Sequence, residues 1–351
     1  MLIIIILSFS EVFAQANSSH FEIAFQKISE FIDRDQKQSF KFAVFLVENA
    51  YLDGNLPIKA FQEDIDQLSS VIKSINHQSL IEYSELDKQK IETYAAIFKV
   101  MTDTVISRAG QTVFINMPFM YDFEDVFGNE DWSQMFVSKL LATKKGNCHS
   151  LPYLYKILAE ELGETAHLSL APNHIYIKHY SRKTGWYNTE LTSASFPIDA
   201  WLMASGYVHM DAIRNEVYMD TLSQKESLAL NLLDLAQGYE RKFGIQDGEF
   251  ILKAADRALD VNPNFINALL LKAETQKKLF EDKMLMKSID DPNTLMQQDE
   301  DARTLFLEME SLYVRIHQLG YRQMPEEMYL DWLTSLQEER DKYLNKSVPV
   351  D

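Results

Sequence analysis

The chain has 351 residues, 46 % of them hydrophobic, and 34 Lys and Arg stand against 52 Asp and Glu for a formal net charge of −18. That length accommodates two domains, the apolar content argues against global disorder, and the acidity disfavours nucleic-acid partners. Beyond the N-terminus no stretch approaches the ~20 apolar residues of a membrane helix, so no stable membrane anchor is expected.

The first residues read MLIIIILSFSEVFAQANSS. A short apolar run, Leu2 to Leu7, is followed by the small residues Ala14 and Ala16. This pattern predicts a signal peptide over residues 1–16, a mature start near Asn17 and export to the periplasm or beyond. No Lys or Arg precedes the run and Glu11 sits near the cleavage point, so a buried N-terminal strand is the competing reading. No Cys follows the run, which leaves a lipoprotein anchor unsupported.

Residues 20–140 read as mostly helical. Phe21, Ala24, Phe25, Ile28, Phe31 and Ile32 recur at helical spacing. A second helix is expected from about Ser39 to Asn49, closed by the turn signal Asp53-Gly54-Asn55. Pro57 opens a third, with Phe61, Ile65, Leu68 and Ile72 on one face. A fourth is predicted from about Asp87 to Val105, and Asn116 to Asp131 reads as a loop. Aromatic stripes in such helices are ordinarily core.

From 141 to 191 the pattern changes. GNCHSLPYLYKILAEELG opens with a Gly-Asn break and continues as a helix with Leu151, Leu154, Tyr155, Leu158 and Leu162 on one face. Gly163 ends it. Three strand-like runs follow: Ala166–Ala171, His174–Tyr180 and Trp186–Leu191, the last two joined by the polar loop SRKTG. From about Ser223 the helical period returns. KAADRALDVNPNF places Ala254, Ala258, Leu259 and Pro263 as in a tetratricopeptide unit, and NPNFINALLLKAETQKKLF would open the next one. Residues 282–300 read as a polar linker, and 301–344 as helical again.

Cys148 is the only cysteine. In an exported chain an unpaired thiol is an oxidation liability, which favours a reactive group over an inert buried one. It stands at the N-terminal edge of its helix, where free N–H groups and the helix dipole stabilise a thiolate. His174 begins a strand and, by alternation, shares a face with Tyr176 and Lys178, while Trp186, Asn188 and Glu190 share a face of the next strand. A hairpin would set Glu190, or alternatively Asn188, beside the imidazole to orient it. Gln134 and the backbone N–H of Cys148 are candidates for an oxyanion hole. A zinc site from Cys148, His149, His167 and His179 lacks the usual ligand spacing, and no cofactor motif is found.

Cysteine at a helix start, histidine at a strand start, then Trp and an acid on the next strand resembles the transglutaminase-like core, in which these fall 12 and 16 residues after the histidine, as Trp186 and Glu190 do here. The family usually has Asp at the last position. A narrower resemblance, carried by AVFLVENAYLDGNLPIKAFQEDIDQL, GNCHSLPYLYKILAEELG and PNHIYIKH, is to the Sir B family of bacterial transglutaminase-like proteins and spans roughly residues 40–280. Many members of that family lack the Cys and are presumed non-catalytic, whereas this chain keeps Cys, His and acid together.

The resemblance implies an α+β fold, mostly helical: a papain/transglutaminase-like core with a small antiparallel sheet over residues 20–222, and a helical, tetratricopeptide-like tail over 223–351. It implies acyl transfer at protein or peptide amides by Cys148, His174 and Glu190, with hydrolysis favoured over cross-linking because water is always at hand. The competing function is an inactive scaffold whose repeat tail grips a partner peptide.

Overall fold

The helices of this chain are set by one-sided apolar spacing and by their ends. A computed structural model describes residues 19–34, 40–76, 82–109 and 112–344; the expected signal peptide and its cleavage point lie outside the described residues. Helix α1 covers 19–33, α2 Phe40–Tyr51, α3 Ile58–Asn76 and α4 Lys88–Thr102. A hairpin of β1 (Val105–Ala109) and β2 (Thr112–Asn116) follows, then β3 (Met120–Tyr121), a 3-10 turn (Trp132–Met135), α5 (Val137–Thr143) and β4 (Lys145–Gly146). Next come α6 (Ser150–Glu161), β5 (His167–Ala171), β6 (His174–Ser181) and β7 (Gly185–Thr189). The rest is helical: α7 (Asp199–Ser205), α8 (Met210–Arg214), α9 (Gln224–Phe243), α10 (Glu249–Val261), α11 (Ile266–Lys287), α12 (Pro292–Gln298), α13 (Glu300–Gln318) and α14 (Glu326–Leu344). The fold is therefore α+β, mostly helical, and no described helix is long and apolar enough to cross a membrane.

The chain divides into two compact units. One comprises residues up to Leu56 together with Ser223–Tyr321; the other comprises Pro57–Leu222 together with the segment from Arg322 onward. One division falls where the sequence suggests a boundary, at 222/223. The other two, at 56/57 and 321/322, carry the first helices into the tail's unit and α14 into the sheet's unit, which the sequence did not signal.

The first unit is helical throughout its described residues. Its aromatic centre sets Phe21 edge-on to Tyr239 and Phe250, with ring centroids 5.4 and 6.1 Å apart. Ala254, Ala255, Ala258, Ala268 and Ala273 are buried, and such small side chains let α10 and α11 pack closely. Ser223 and Glu226 form a reciprocal cap that starts α9. The stretch 282–300, expected as a linker, is mostly helix. Asp291 caps α12, Pro292 occupies its first turn, and Leu295 joins Phe280 and Ala302 in a small core that the polar composition hides.

The second unit carries all the described strands. Its three-stranded antiparallel sheet runs β5-β6-β7, and α6 packs against β5 and β6. The three strands fall where alternation predicts them, within two residues at each end. Two expectations are corrected. The fourth helix stops at Thr102, and a β1–β2 hairpin replaces continued helix, because VISRA and TVFIN are rich in β-branched residues. The segment read as a loop, 116–131, contains β3, which pairs in parallel with β4: Met120 lies opposite Lys145 and Tyr121 opposite Gly146. Two residues of strand are too short to show periodicity, yet this pair fixes what lies beside Cys148.

Candidate active site

The cysteine is placed by the three residues before α6. Gly146 ends β4, and a Cβ there would lie 2.5 Å from Ser150 Oγ and 2.7 Å from Leu140 Cδ1, so no side chain fits. Asn147 then caps the helix. Its Oδ1 accepts from the N–H groups of His149 (3.0 Å) and Ser150 (3.1 Å), and its own N–H donates to Ser150 Oγ at 3.1 Å. Cys148 is thus held at the positive end of α6, and its own N–H is not among those that Asn147 takes. The Gly-Asn pair that reads as a break in the sequence is the device that aims the thiol.

The histidine and the acid come from the sheet. Pro172 and Asn173 form the two-residue turn between β5 and β6, with Asn173 in the left-handed region at φ 57°, which Asn tolerates better than most residues. His174 follows, and the Cys148 sulfur lies 3.7 Å from the Asn173 carbonyl. Glu190 stands just beyond β7, its backbone paired in both directions with Ser195 at 2.9 Å. Its Oε2 accepts from His174 Nε2 at 2.6 Å, and its Oε1 accepts from the Thr192 N–H at 2.8 Å. Both carboxylate oxygens are committed, which fixes the ring that one of them holds.

All three side chains are buried: Cys148 is 9 % exposed, His174 3 % and Glu190 1 %. Burial opposes charge on each of them, and their mutual interactions override it. For Cys148, burial favours the thiol, but the hydrogen bond and charge of His174, helped by Tyr329, bring it below its ordinary range. For His174, burial favours the neutral ring, but the Glu190 charge and the hydrogen bonds with Cys148 and Glu190 push it up to about 10. Glu190 is held below its ordinary range against burial by His174 and Thr192. The state these interactions favour is a thiolate–imidazolium–carboxylate row, the charge distribution of an activated cysteine nucleophile.

Two other nominated residues do not join this row. Asn188 lies in register with Lys178, four residues along β6 from His174, and its amide donates to the Pro197 carbonyl (2.9 Å) and to Asp199 (2.7 Å). Glu190, not Asn188, contacts the His174 ring. Gln134 sits on the 3-10 turn with its amide oxygen accepting from Lys139, which also binds Asp122 at 2.8 Å. The remaining histidines serve elsewhere. His149 Nδ1 is 2.9 Å from the Met135 carbonyl, His167 Nδ1 is 3.3 Å from the Leu222 carbonyl, and His179 stacks on Tyr94 and bonds the Tyr155 hydroxyl at 3.0 Å.

Sequence reasoning missed three aromatic residues. Tyr121, opposite Gly146 through the β3–β4 pair, turns its buried hydroxyl toward Cys148 and Tyr329 without forming a hydrogen bond of good geometry. Tyr329 and Trp332 come from α14. The Tyr329 hydroxyl donates to Cys148 Sγ at 3.0 Å and lies 3.3 Å from His174 Nδ1, while Trp332 meets the His174 ring edge-on at 4.7 Å. Their spacing of three was legible as a buried helical stripe, but nothing local says what a stripe packs against. The chain has no significant match to any protein-family model, any curated protein or any solved structure, so the site stands on its own geometry.

Proposed function

We propose that the second unit is a transglutaminase-like cysteine enzyme that transfers acyl groups from protein or peptide amides. The observation that carries this reading is the His174–Glu190 contact of 2.6 Å beside a thiol at a helix start, with one hydroxyl touching both Cys148 and His174. The thiolate of Cys148 attacks the amide carbonyl carbon. The imidazolium of His174 gives its proton to the leaving nitrogen as the C–N bond breaks, leaving a thioester and a free amine. Water then attacks the thioester, His174 takes its proton, and the acid product leaves as the sulfur departs as thiolate, which restores the thiolate–imidazolium pair. An amine in place of water would give a transferred amide; hydrolysis is the default because water needs no binding site. The helical first unit suits a tetratricopeptide-like partner surface, and the residue pattern of 1–16 suits export.

The test is titration of the thiolate by its ultraviolet absorbance, which needs no substrate. A midpoint well below the ordinary ~8.5 supports the triad. A midpoint at or above that value would leave an inert buried cysteine and hand the argument to the scaffold reading.

Tyr121 takes the place left open by Gln134. Its unengaged hydroxyl and the Cys148 N–H are the donors we assign to the oxyanion. Acylation by an activated ester develops negative charge on oxygen, whereas alkylation by iodoacetamide attacks a saturated carbon and does not. Tyr121→Phe is therefore expected to lower the ratio of acylation to alkylation by about 100–1,000-fold, the cost of one oxyanion donor. An unchanged ratio assigns Tyr121 to packing alone.

A further inference from the structure

The row formed by Cys148, His174 and Glu190 is covered by α14. Tyr329, Trp332 and Leu333 lie at the i, i+3, i+4 positions of α14 and are 0 %, 5 % and 0 % exposed. The neighbouring Glu326, Glu327, Met328, Leu330 and Asp331 face solvent. Only a narrow face of α14 therefore enters the unit, and it enters at the nucleophile. The Tyr329 hydroxyl sits 3.0 Å from the sulfur, in the space a carbonyl group must cross to be attacked. Trp332 stands against the ring that must pass the proton to the leaving nitrogen. With α14 so placed, Cys148 is 9 % exposed and its sulfur is covered by the Tyr329 hydroxyl.

The walls around these two rings are aromatic as well. Phe127 lies 5.3 Å from Tyr329, and Trp201 lies 6.4 Å from Trp332, centroid to centroid. Tyr121 lies near the Tyr329 hydroxyl. Phe127, Trp201 and His174 therefore meet the two rings that α14 brings to the nucleophile. The attachment of α14 is also suited to release. The segment just before it has no regular structure, and Asn173 Nδ2, on the turn before His174, donates to its Met324 carbonyl at 3.4 Å.

We propose that α14 is an intramolecular stand-in for the substrate: Tyr329 and Trp332 fill a subsite that takes the aromatic side chains of a peptide, and such a peptide gains the nucleophile by displacing α14. This rests on the acyl-transfer reading, and it assigns that enzyme a substrate class, peptides bearing exposed Tyr or Trp near the scissile amide. It also makes the resting chain self-capped, because the subsite is filled by a group with no amide carbonyl at the sulfur.

The experiment compares full-length wild type with the Tyr329→Ala/Trp332→Ala double variant, alkylated by iodoacetamide at a pH where thiolate absorbance shows equal ionisation. The cap predicts that uncapping speeds alkylation of Cys148 by about tenfold or more, since the apparent rate scales with the open fraction. A synthetic peptide spanning residues 325–336 should slow the variant again, saturably, and the same peptide with both aromatics replaced by Ala should not. An unchanged rate in a folded variant, or equal action by both peptides, overturns the proposal. Should the variant not fold, wild type still decides: the aromatic peptide should accelerate hydrogen exchange over 328–334, the control peptide should not, and no difference between them overturns the cap. The thiolate titration is independent of access, so a low midpoint with no uncapping effect refutes the stand-in while leaving the triad intact. A thiol that ionises only in the ordinary range refutes the triad itself.

Discussion

Replacing His174 by Ala should move the ionisation of Cys148 above that of a free cysteine. Burial is the largest influence on this thiol and favours the neutral form; the hydrogen bond and charge of His174 are what reverse it. With the imidazole gone, burial is opposed by the weaker influences of Tyr329 and His149 and by the start of α6. At about pH 6 the thiolate population should fall, tenfold for each unit by which the ionisation midpoint rises. The ultraviolet titration that reads the wild-type midpoint reads this shift directly. Alkylation in the uncapped background should fall in proportion. Asn188→Ala serves as the control, because that side chain ties Pro197 and Asp199 rather than the imidazole. A His174→Ala midpoint equal to that of wild type would mean that the helix terminus alone lowers the thiol, and His174 would lose its role as the activating base.

What the sequence made legible and what it hid divide on physical grounds. The helix behind Cys148, the three-stranded sheet and the pairing of His174 with Glu190 all follow from short-range rules. A cap, a two-residue turn and strand alternation act over a few residues, so their signals survive in the order of side chains. Their consequence, a carboxylate 16 positions on from an imidazole and within hydrogen-bond distance of it, needs only one hairpin between them. Tyr121 and Tyr329 reach the site by other means. Tyr121 arrives through a parallel pair of two-residue strands, too short to leave a period. Tyr329 arrives across 181 residues of chain, and its stripe with Trp332 reads the same whether it covers a core or a catalytic thiol. Gln134 is a different case: its residue type suits an oxyanion hole, and its amide oxygen accepts from Lys139, a pairing no local pattern announces. Residues that belong to one supersecondary unit were found, and those delivered by tertiary packing were not.

The largest stability effect is expected at Glu190. Its carboxylate and the His174 ring form a buried ion pair, and removing one partner of such a pair leaves the other charge stranded, at a cost of roughly 3–5 kcal/mol. Glu190→Ala should show that full loss at about pH 6, read from urea unfolding of the whole chain. Glu190→Gln should lose less, because the amide oxygen still accepts from Nε2 while the ring reverts toward neutral. The loss should also depend on pH in a fixed direction. Glu190 is depressed in the fold, so its contribution is complete above its ordinary 4.5 and is lost as pH falls through its lower folded value. His174 is raised, so its contribution is complete below its ordinary 6.5 and is lost as pH rises toward about 10. The gap between wild type and either variant should therefore be widest between 4.5 and 6.5 and should narrow steadily toward pH 10. The midpoint of Cys148 should rise in both variants as well, since a ring that no longer holds its proton cannot stabilise the thiolate beside it. A stability gap that stays constant from pH 5 to 10 would show that Glu190 contributes packing and hydrogen bonding rather than charge, and the imidazolium on which the acyl-transfer mechanism depends would have to be given up.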